Sequence, residues 1–378
     1  MHPIIEVDQK KLIENLAKVQ RIIQENVKIM AIIKSNAYGH GMLEIAKALS
    51  FQVDSFGVGF FHEALLLRQH GIIQEILVLG PSYDFELAIE NKVTITIEST
   101  EQAMRLFQYI EAQVKGTKKK IQIHLKVDTG FGRFGLDKEG VASFLKHYMM
   151  YSNYIVIRGV YSHISMTKKT DATWVEQQNK CFLAFKEQIQ AQIDTKNILF
   201  HLANSEIAID YAQLQYDMIR IGNALFGPVG SERHIELKSI ASIKLPVVSV
   251  HERGKGQRIG YGRRYRLKKD SKIGVVEAGF YEGIGIEKSP IGQSRVHQLR
   301  FFARRVIKAF LRKEYMLYQG KKLPIIGMVN MQYTMIDITG IDMKIGDFVE
   351  YKKSPLYFKE NIERRHILEE DNGISNKS

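Results

Sequence analysis

The chain has 378 residues, a formal net charge of +13, and 45% apolar against 25% charged residues; these are the proportions of a folded globular protein with one large and one smaller domain, not of a disordered or fibrous chain. No apolar run reaches the roughly 18 residues of a membrane span, and the opening MHPIIEVDQKKLIENL lacks the basic and apolar stretches of a secretory signal. Cys181 is the only cysteine, which excludes an internal disulfide and agrees with a cytoplasmic location.

Eight β-branched or apolar runs follow one another over residues 1–227. They are VKIMAIIK (27–34), SFGVGF (55–60), EILVLG (75–80), VTITIES (93–99), KIQIHLKVD (120–128), YIVIRGVYSHI (154–164), NILFHLAN (197–204) and YDMIRIGNALFG (216–227). Amphipathic stretches such as 100–114 and 174–193 lie between them. Nearly continuous apolar strands that alternate with helices imply a parallel sheet buried on both faces. Eight such units in this length predict a (β/α)8 TIM barrel over residues 1–235.

The pattern changes after Pro228, with the boundary expected between 227 and 240. Residues 240–283 and 322–352 read as short strands separated by glycine turns. This predicts a mostly antiparallel β domain over 236–378, so the fold class is α/β followed by β. Inside it, RVHQLRFFARRVIKAFLRK (295–313) has seven Lys or Arg and no acidic residue, with apolar residues at helical spacing. A surface helix packed on its own domain is the expected reading; a membrane surface or an acidic partner is the alternative. Nucleic acid is not an expected partner, because no zinc spacing, RNP signature or helix-turn-helix pattern accompanies the basic charge. No metal site is expected. The tail 366–378 is polar and is expected to fray.

Functional side chains of a barrel gather at the C-terminal ends of its strands. Here those ends carry Lys34, followed by SNAYGHG, and Lys126, followed by DTGFGRFG. His163, then His201 with Asn204 and Ser205, and finally Arg220 with Gly222 and Asn223 come next. The last two loops occupy the usual barrel phosphate site, where glycine lets backbone N–H groups approach a phosphate. A strand-end lysine, an arginine and a phosphate cradle point to pyridoxal phosphate. A lysine that attacks an aldehyde must be neutral, and a cation such as Arg133 lowers its pKa.

The motifs AIIKSNAYGHG (31–41), LKVDTGFGRFG (125–135), GVYSHIS (159–165), HLANS (201–205), IRIGNALFGP (219–228) and IGYGRRY (259–265) resemble, in order, those of the bacterial alanine racemases. The resemblance covers about residues 1–350. It implies a barrel followed by a β domain, and a head-to-tail homodimer in which the partner's β domain closes each active site. It also implies that Lys34 holds the cofactor and acts as one base, and that Tyr261 of the other subunit is the second. A Tyr261–His163–Arg220 chain would activate the tyrosine, with Arg220 also facing the pyridine nitrogen. Tyr38, Ser205, Gly222 and Asn223 would bind the phosphate, with His163 and Asn204 beside the cofactor. Arg133 and the Met331 backbone would hold the substrate carboxylate, and Lys126 matches a position that is carbamylated in many members.

Several positions depart from that pattern. Phe280 stands for an entrance tyrosine, and Met328 and Gln332 stand for arginine and aspartate. The stretch 284–320 is longer than usual, and a late tyrosine is missing unless Tyr357, within 353–366, replaces it. The expected activity is racemisation of alanine. Serine or a larger or basic amino acid, decarboxylation on the same scaffold, and a non-catalytic or regulatory cofactor-binding protein are the alternatives.

Overall fold

A computed structural model describes residues 1–165, 172–233, 235–287, 294–311 and 314–368. It divides into two compact units. Gln9–Ile240 form one; Met1–Asp8 and the chain from Ala241 onward form the other.

The larger unit is the expected barrel. The chain's first strand, β1 (Ile4–Asp8), lies outside it. The barrel strands are β2 (Lys28–Ile32), β3 (Ser55–Val58), β4 (Glu75–Pro81), β5 (Thr94–Ile97), β6 (Ile121–Lys126), β7 (Ile155–Tyr161), β8 (Leu199–His201) and β9 (Met218–Ile221). Every neighbouring pair from β2 to β8 is parallel, and β9 pairs in parallel with β2. Backbone bonds from Asp217 N–H to Phe200 C=O and from Arg220 N–H to Ala203 C=O tie β9 to the β8 segment. All residues of β3, β5 and β9 are buried. Helices cover the outside of such strands, so both faces need apolar side chains.

The smaller unit is mainly an antiparallel sheet. Its strands are β1, β10 (Ala241–Arg253), β13 (Ser271–Val276), β14 (Tyr315–Tyr318), β15 (Lys321–Ile326), β16 (Thr334–Asp337), β17 (Phe348–Tyr351) and β18 (Glu363–Ile367). A separate ribbon joins β11 (Arg258–Ile259) to β12 (Tyr265–Arg266). β10, thirteen residues long, pairs with β1, β13 and β17.

The expected division at 235/236 therefore differs from the structure at both ends. β1 pairs antiparallel with β10, Ile4 opposite Lys244, and parallel with β18, Ile4 opposite Glu363. Only Ile5 and Val7 of β1 are buried, the two-residue alternation of a sheet with one dry face. At the other end, Ile240 N–H donates to Phe226 C=O, which keeps residues up to 240 with the barrel unit.

The basic helix is present over Arg295–Leu311. Val296, Leu299 and Phe302, which are apolar and spaced for one face, are exposed. Residues 312–313, the end of the basic stretch, and most of the tail expected to fray, 369–378, lie outside the described residues. Among the described residues, no helix is long and apolar enough to cross a membrane.

Candidate active site

Lys34 stands two residues beyond β2, where the backbone does something the sequence pattern does not announce. Ser35, Asn36, Ala37 and Tyr38 all have φ between 51° and 54°, a run of left-handed turn made without glycine. Such a conformation costs about 1–2 kcal/mol per residue, because Cβ crowds the following carbonyl. Local bonds hold it. Ala37 N–H donates to Ile33 C=O, and Gly41 N–H donates to Asn36 C=O. The Asn36 side-chain oxygen accepts from Met42 N–H at 2.7 Å, and one Glu63 oxygen accepts from Ser35 N–H at 2.6 Å. The other Glu63 oxygen accepts from Gly59 N–H and Phe60 N–H at 2.7 and 3.0 Å. A buried carboxylate thus ties the end of β3 and the start of the next helix to the turn that follows Lys34.

The turn presents Tyr38 to Gly222, the residue after β9. A Cβ on Gly222 would lie 2.6 Å from the Tyr38 hydroxyl, so only glycine permits this approach. The Ser205 hydroxyl accepts from Gly222 N–H at 3.0 Å and from Ala224 N–H at 3.3 Å. Burial pushes the Tyr38 phenol up to about 12, which keeps it a neutral donor. The Asn204 side-chain oxygen caps the helix Ser205–Asp210 by accepting from Ile207 N–H. Asn223 opens a short helix and is exposed.

The DTGFGRFG segment folds back on its own strand. The Asp128 carboxylate accepts from the N–H groups of Gly130, Phe131 and Gly132, and Leu136 N–H donates to Lys126 C=O. Gly135 has φ +136°, and a Cβ there would meet the Asp128 and Val127 backbone at 2.5 and 2.6 Å. This fold puts the Arg133 guanidinium over the Phe131 ring, 4.6 Å from its centre. Lys126, Asp128, Phe131, Arg133, Phe134, Ser162 and His163 line one cleft.

Cations dominate the electrostatics. Burial, then Arg133, pulls Lys34 below the ordinary lysine value; Glu63 opposes this and Arg220 adds to it. Burial, then Arg133 and Arg220, brings Lys126 down to about 8. Burial, then Arg220, Lys126, Arg133 and Lys34, brings His163 down to about 3, so its imidazole is neutral at physiological pH. Burial lowers Arg220 to about 10, where the guanidinium still carries its charge at neutral pH. Lys34, Lys126, Arg133 and Arg220 together form a field that attracts an anion.

Arg220 sits in β9 with Met30 of β2 as its register partner. Its described hydrogen bonds go to the His201 ring nitrogen Nδ1 (2.8 Å) and to the carbonyls of Ser162, His201 and Leu202. His163, the expected neighbour in a tyrosine–histidine–arginine chain, is not among these partners; it packs on Phe131 with ring centres 5.3 Å apart. The described imidazole partner of Arg220 is His201. A buried polar residue in an apolar strand, as His124 is in KIQIHLK, is the sequence signal that points to this second histidine layer. Glu63 has a weaker one, as the carboxylate three residues after Phe60 where a helix begins.

Two expected site residues lie in the smaller unit. Tyr261 begins a short turn between β11 and β12, after Gly260 with φ +71°, and is 71% exposed. Met331 is also exposed, and its carbonyl accepts from Tyr281 N–H at 3.0 Å. Phe280 N–H donates to Asn330 C=O in the same hairpin region.

Known proteins place these features in context. The family described as "Alanine racemase, N-terminal domain" matches residues 7–229, and "Alanine racemase, C-terminal domain" matches 240–366. The chain is 31% identical over 359 residues to a protein named alanine racemase from Methanococcus maripaludis, covering 92% of this chain and 88% of that one. A solved alanine racemase from Bacillus anthracis with bound L-Ala-P is similar at 27% identity and a TM-score of 0.76, covering 92% of this chain and 84% of that one. One from Clostridium difficile 630 in complex with cycloserine is similar at 25% and 0.77, with coverages of 93% and 86%.

Proposed function

The chain belongs to the alanine racemase family, and on that premise we propose that it interconverts L- and D-alanine with pyridoxal phosphate, using Lys34 and the partner subunit's Tyr261 as the two bases. It is an isomerase built on a (β/α)8 barrel. The relatives crystallised with cycloserine and with L-Ala-P support a small amino acid as the substrate.

The residues present fit the cofactor. Gly222 is open where a Cβ would strike Tyr38. The Ser205 hydroxyl, the Tyr38 hydroxyl and backbone N–H groups there would hold the phosphate, and the cations Lys126, Arg133 and Arg220 suit a phosphate and a carboxylate. Bound pyridoxal phosphate supplies an electron sink that stabilises negative charge at the substrate Cα. Racemisation needs one group to remove the α-proton and another to return one to the opposite face. The lowered pKa of Lys34 favours the neutral amine, which can take that proton at Nζ. Tyr261 Oη, from the partner in a homodimer, serves the other face. Arg133 orients the substrate carboxylate, aided by the backbone at Met331. Arg220, a weak acid, would sit by the ring nitrogen of the bound cofactor, where it would leave that nitrogen unprotonated and moderate the sink. Lys126, at about 8, has a neutral fraction able to take up carbon dioxide, and the resulting carbamate would balance Arg133.

The observation that carries this reading is Lys34, held toward its neutral form by burial and flanking guanidiniums at the end of β2. Purified protein is incubated with pyridoxal phosphate and L-alanine in heavy water. D-alanine should accumulate, with deuterium at the α-carbon, and Lys34→Ala should abolish both this and the visible cofactor band. Failure to exchange the α-proton of alanine would overturn the assignment.

A further inference from the structure

The guanidinium of Arg220 has no described carboxylate partner within ion-pair distance, although it is buried. What it has instead is a line of side chains crossing the barrel interior. Arg220 Nη1 lies 2.8 Å from His201 Nδ1. His201 Nε2 lies 2.9 Å from His124 Nδ1. His124 Nε2 faces Glu75 Oε1 at 3.5 Å, long for a hydrogen bond and therefore mainly a charge–dipole contact. Glu75, the first residue of β4, also accepts from the Thr94 hydroxyl at 3.1 Å and faces Arg158 Nε at 3.9 Å. Both histidines are almost wholly buried, and Tyr161 stacks on His201 with centres 4.9 Å apart.

The proton positions follow from one fact. A guanidinium donates and never accepts. His201 Nδ1 must therefore be the acceptor, so a neutral His201 carries its proton on Nε2. That proton can only be given to His124 Nδ1, which places the His124 proton on Nε2, pointing at the Glu75 carboxylate. Each link forces the next. An imidazolium at His201 would set two cations side by side with no carboxylate in contact, and burial disfavours it further. The packing is made for this arrangement: a Cβ on Gly159 would lie 2.6 Å from His124 Cε1 and 2.7 Å from its Nδ1.

We propose that His201, His124 and Glu75 are positioning residues for Arg220, joined in a chain with a single proton direction, so that the guanidinium on the reaction side of the barrel is oriented and its charge balanced from the start of β4. The proposal rests on the reading that Arg220 faces the cofactor ring. It assigns Glu75, remote from the barrel mouth, an effect on turnover that contact with substrate would not explain.

Two measurements test it. Long-range nitrogen–proton NMR spectra of the holoenzyme with labelled histidine, assigned through His124→Leu, report the tautomers. Both His124 and His201 should be neutral and protonated on Nε2. A proton on Nδ1 of either, or an imidazolium at neutral pH, would overturn the chain. The second measurement is a double-mutant cycle. Glu75→Gln should lower kcat about threefold and His124→Leu about tenfold, each leaving KM within about twofold. The double variant should match His124→Leu, because once the chain is cut Glu75 no longer reaches Arg220. If Glu75→Gln lowered kcat by the same factor in both backgrounds, its role would be merely structural and the proposal would fail. Should His124→Leu not fold, the tautomers, with assignments from His201→Asn, decide alone. They do not depend on activity, so an absence of alanine racemisation would count against the functional assignment and not against the chain.

Discussion

The Glu63 carboxylate accepts a 2.6 Å hydrogen bond from the N–H of Ser35, the residue that follows Lys34. Through it the helix Phe61–Gln69 restrains the backbone that follows the proposed catalytic lysine. Left-handed φ values at four successive non-glycine residues need an outside hold, and Glu63 provides part of it.

Glu63→Ala leaves the N–H groups of Gly59, Phe60 and Ser35 without their acceptor. Bonds to a charged acceptor contribute more than neutral ones, so the variant should lose about 3 kcal/mol of unfolding free energy. It should also lose turnover, because Lys34 shifts. Urea denaturation and steady-state kinetics check both, and unchanged values would show that the turn holds itself.

Lys126 makes stability depend on pH. Its folded pKa is about 8 against 10.5 for an ordinary lysine, so between these values the unfolded state binds more protons than the folded one. Stability from this group therefore rises with pH through that window, and the buried cation is a burden below pH 8. In bicarbonate-free buffer, Lys126→Met should melt at a higher temperature than the parent at pH 7, and the gap should narrow toward pH 10. A gap independent of pH would mean that Lys126 has an undepressed pKa.

Gly222→Ala forces a methyl group against the Tyr38 hydroxyl. The loop must move, and cofactor affinity should drop about tenfold or more, since phosphate anchoring depends on close backbone approach. Adding Tyr38→Phe removes the closest contact but leaves ring carbons at 3.1 and 3.3 Å, so it should recover part of the melting temperature, but not the affinity, because the donor hydroxyl is then gone. Equilibrium dialysis against pyridoxal phosphate with a parallel melt separates the two effects.

The proposed sharing of active sites between subunits makes a sharp prediction for mixed dimers. Lys34→Ala and Tyr261→Phe homodimers should each fall about 100- to 10,000-fold in kcat. Unfolding them together and refolding gives mixed dimers in which one of the two sites has both wild-type bases. Random pairing should recover about a quarter of the parent activity. No recovery would place Lys34 and Tyr261 of each site on one chain.

The sequence by itself determined what repeats locally. Eight apolar runs alternating with amphipathic stretches specify the barrel, because a strand buried on both faces needs apolar side chains at every position. The strand-end residues Lys34, Lys126 and Arg220 could be ranked for the same reason: a charged group ending such a run is out of place unless it is used. Only the tertiary structure decided what depends on distant partners. The pentapeptide Ile4–Asp8 alternates buried and half-buried positions, which suits a sheet in either unit, and its pairing with β10 and β18 assigns it to the smaller one. The left-handed turn at Ser35–Tyr38 contains no glycine to signal it and is held from Glu63, 28 residues away. Arg220 bonds His201, a pairing that no motif spacing announces, because strand register and not chain order sets which side chains meet inside a barrel. Hydrophobic period is a property of neighbours in the chain; hydrogen-bond satisfaction of a buried charge is a property of neighbours in space.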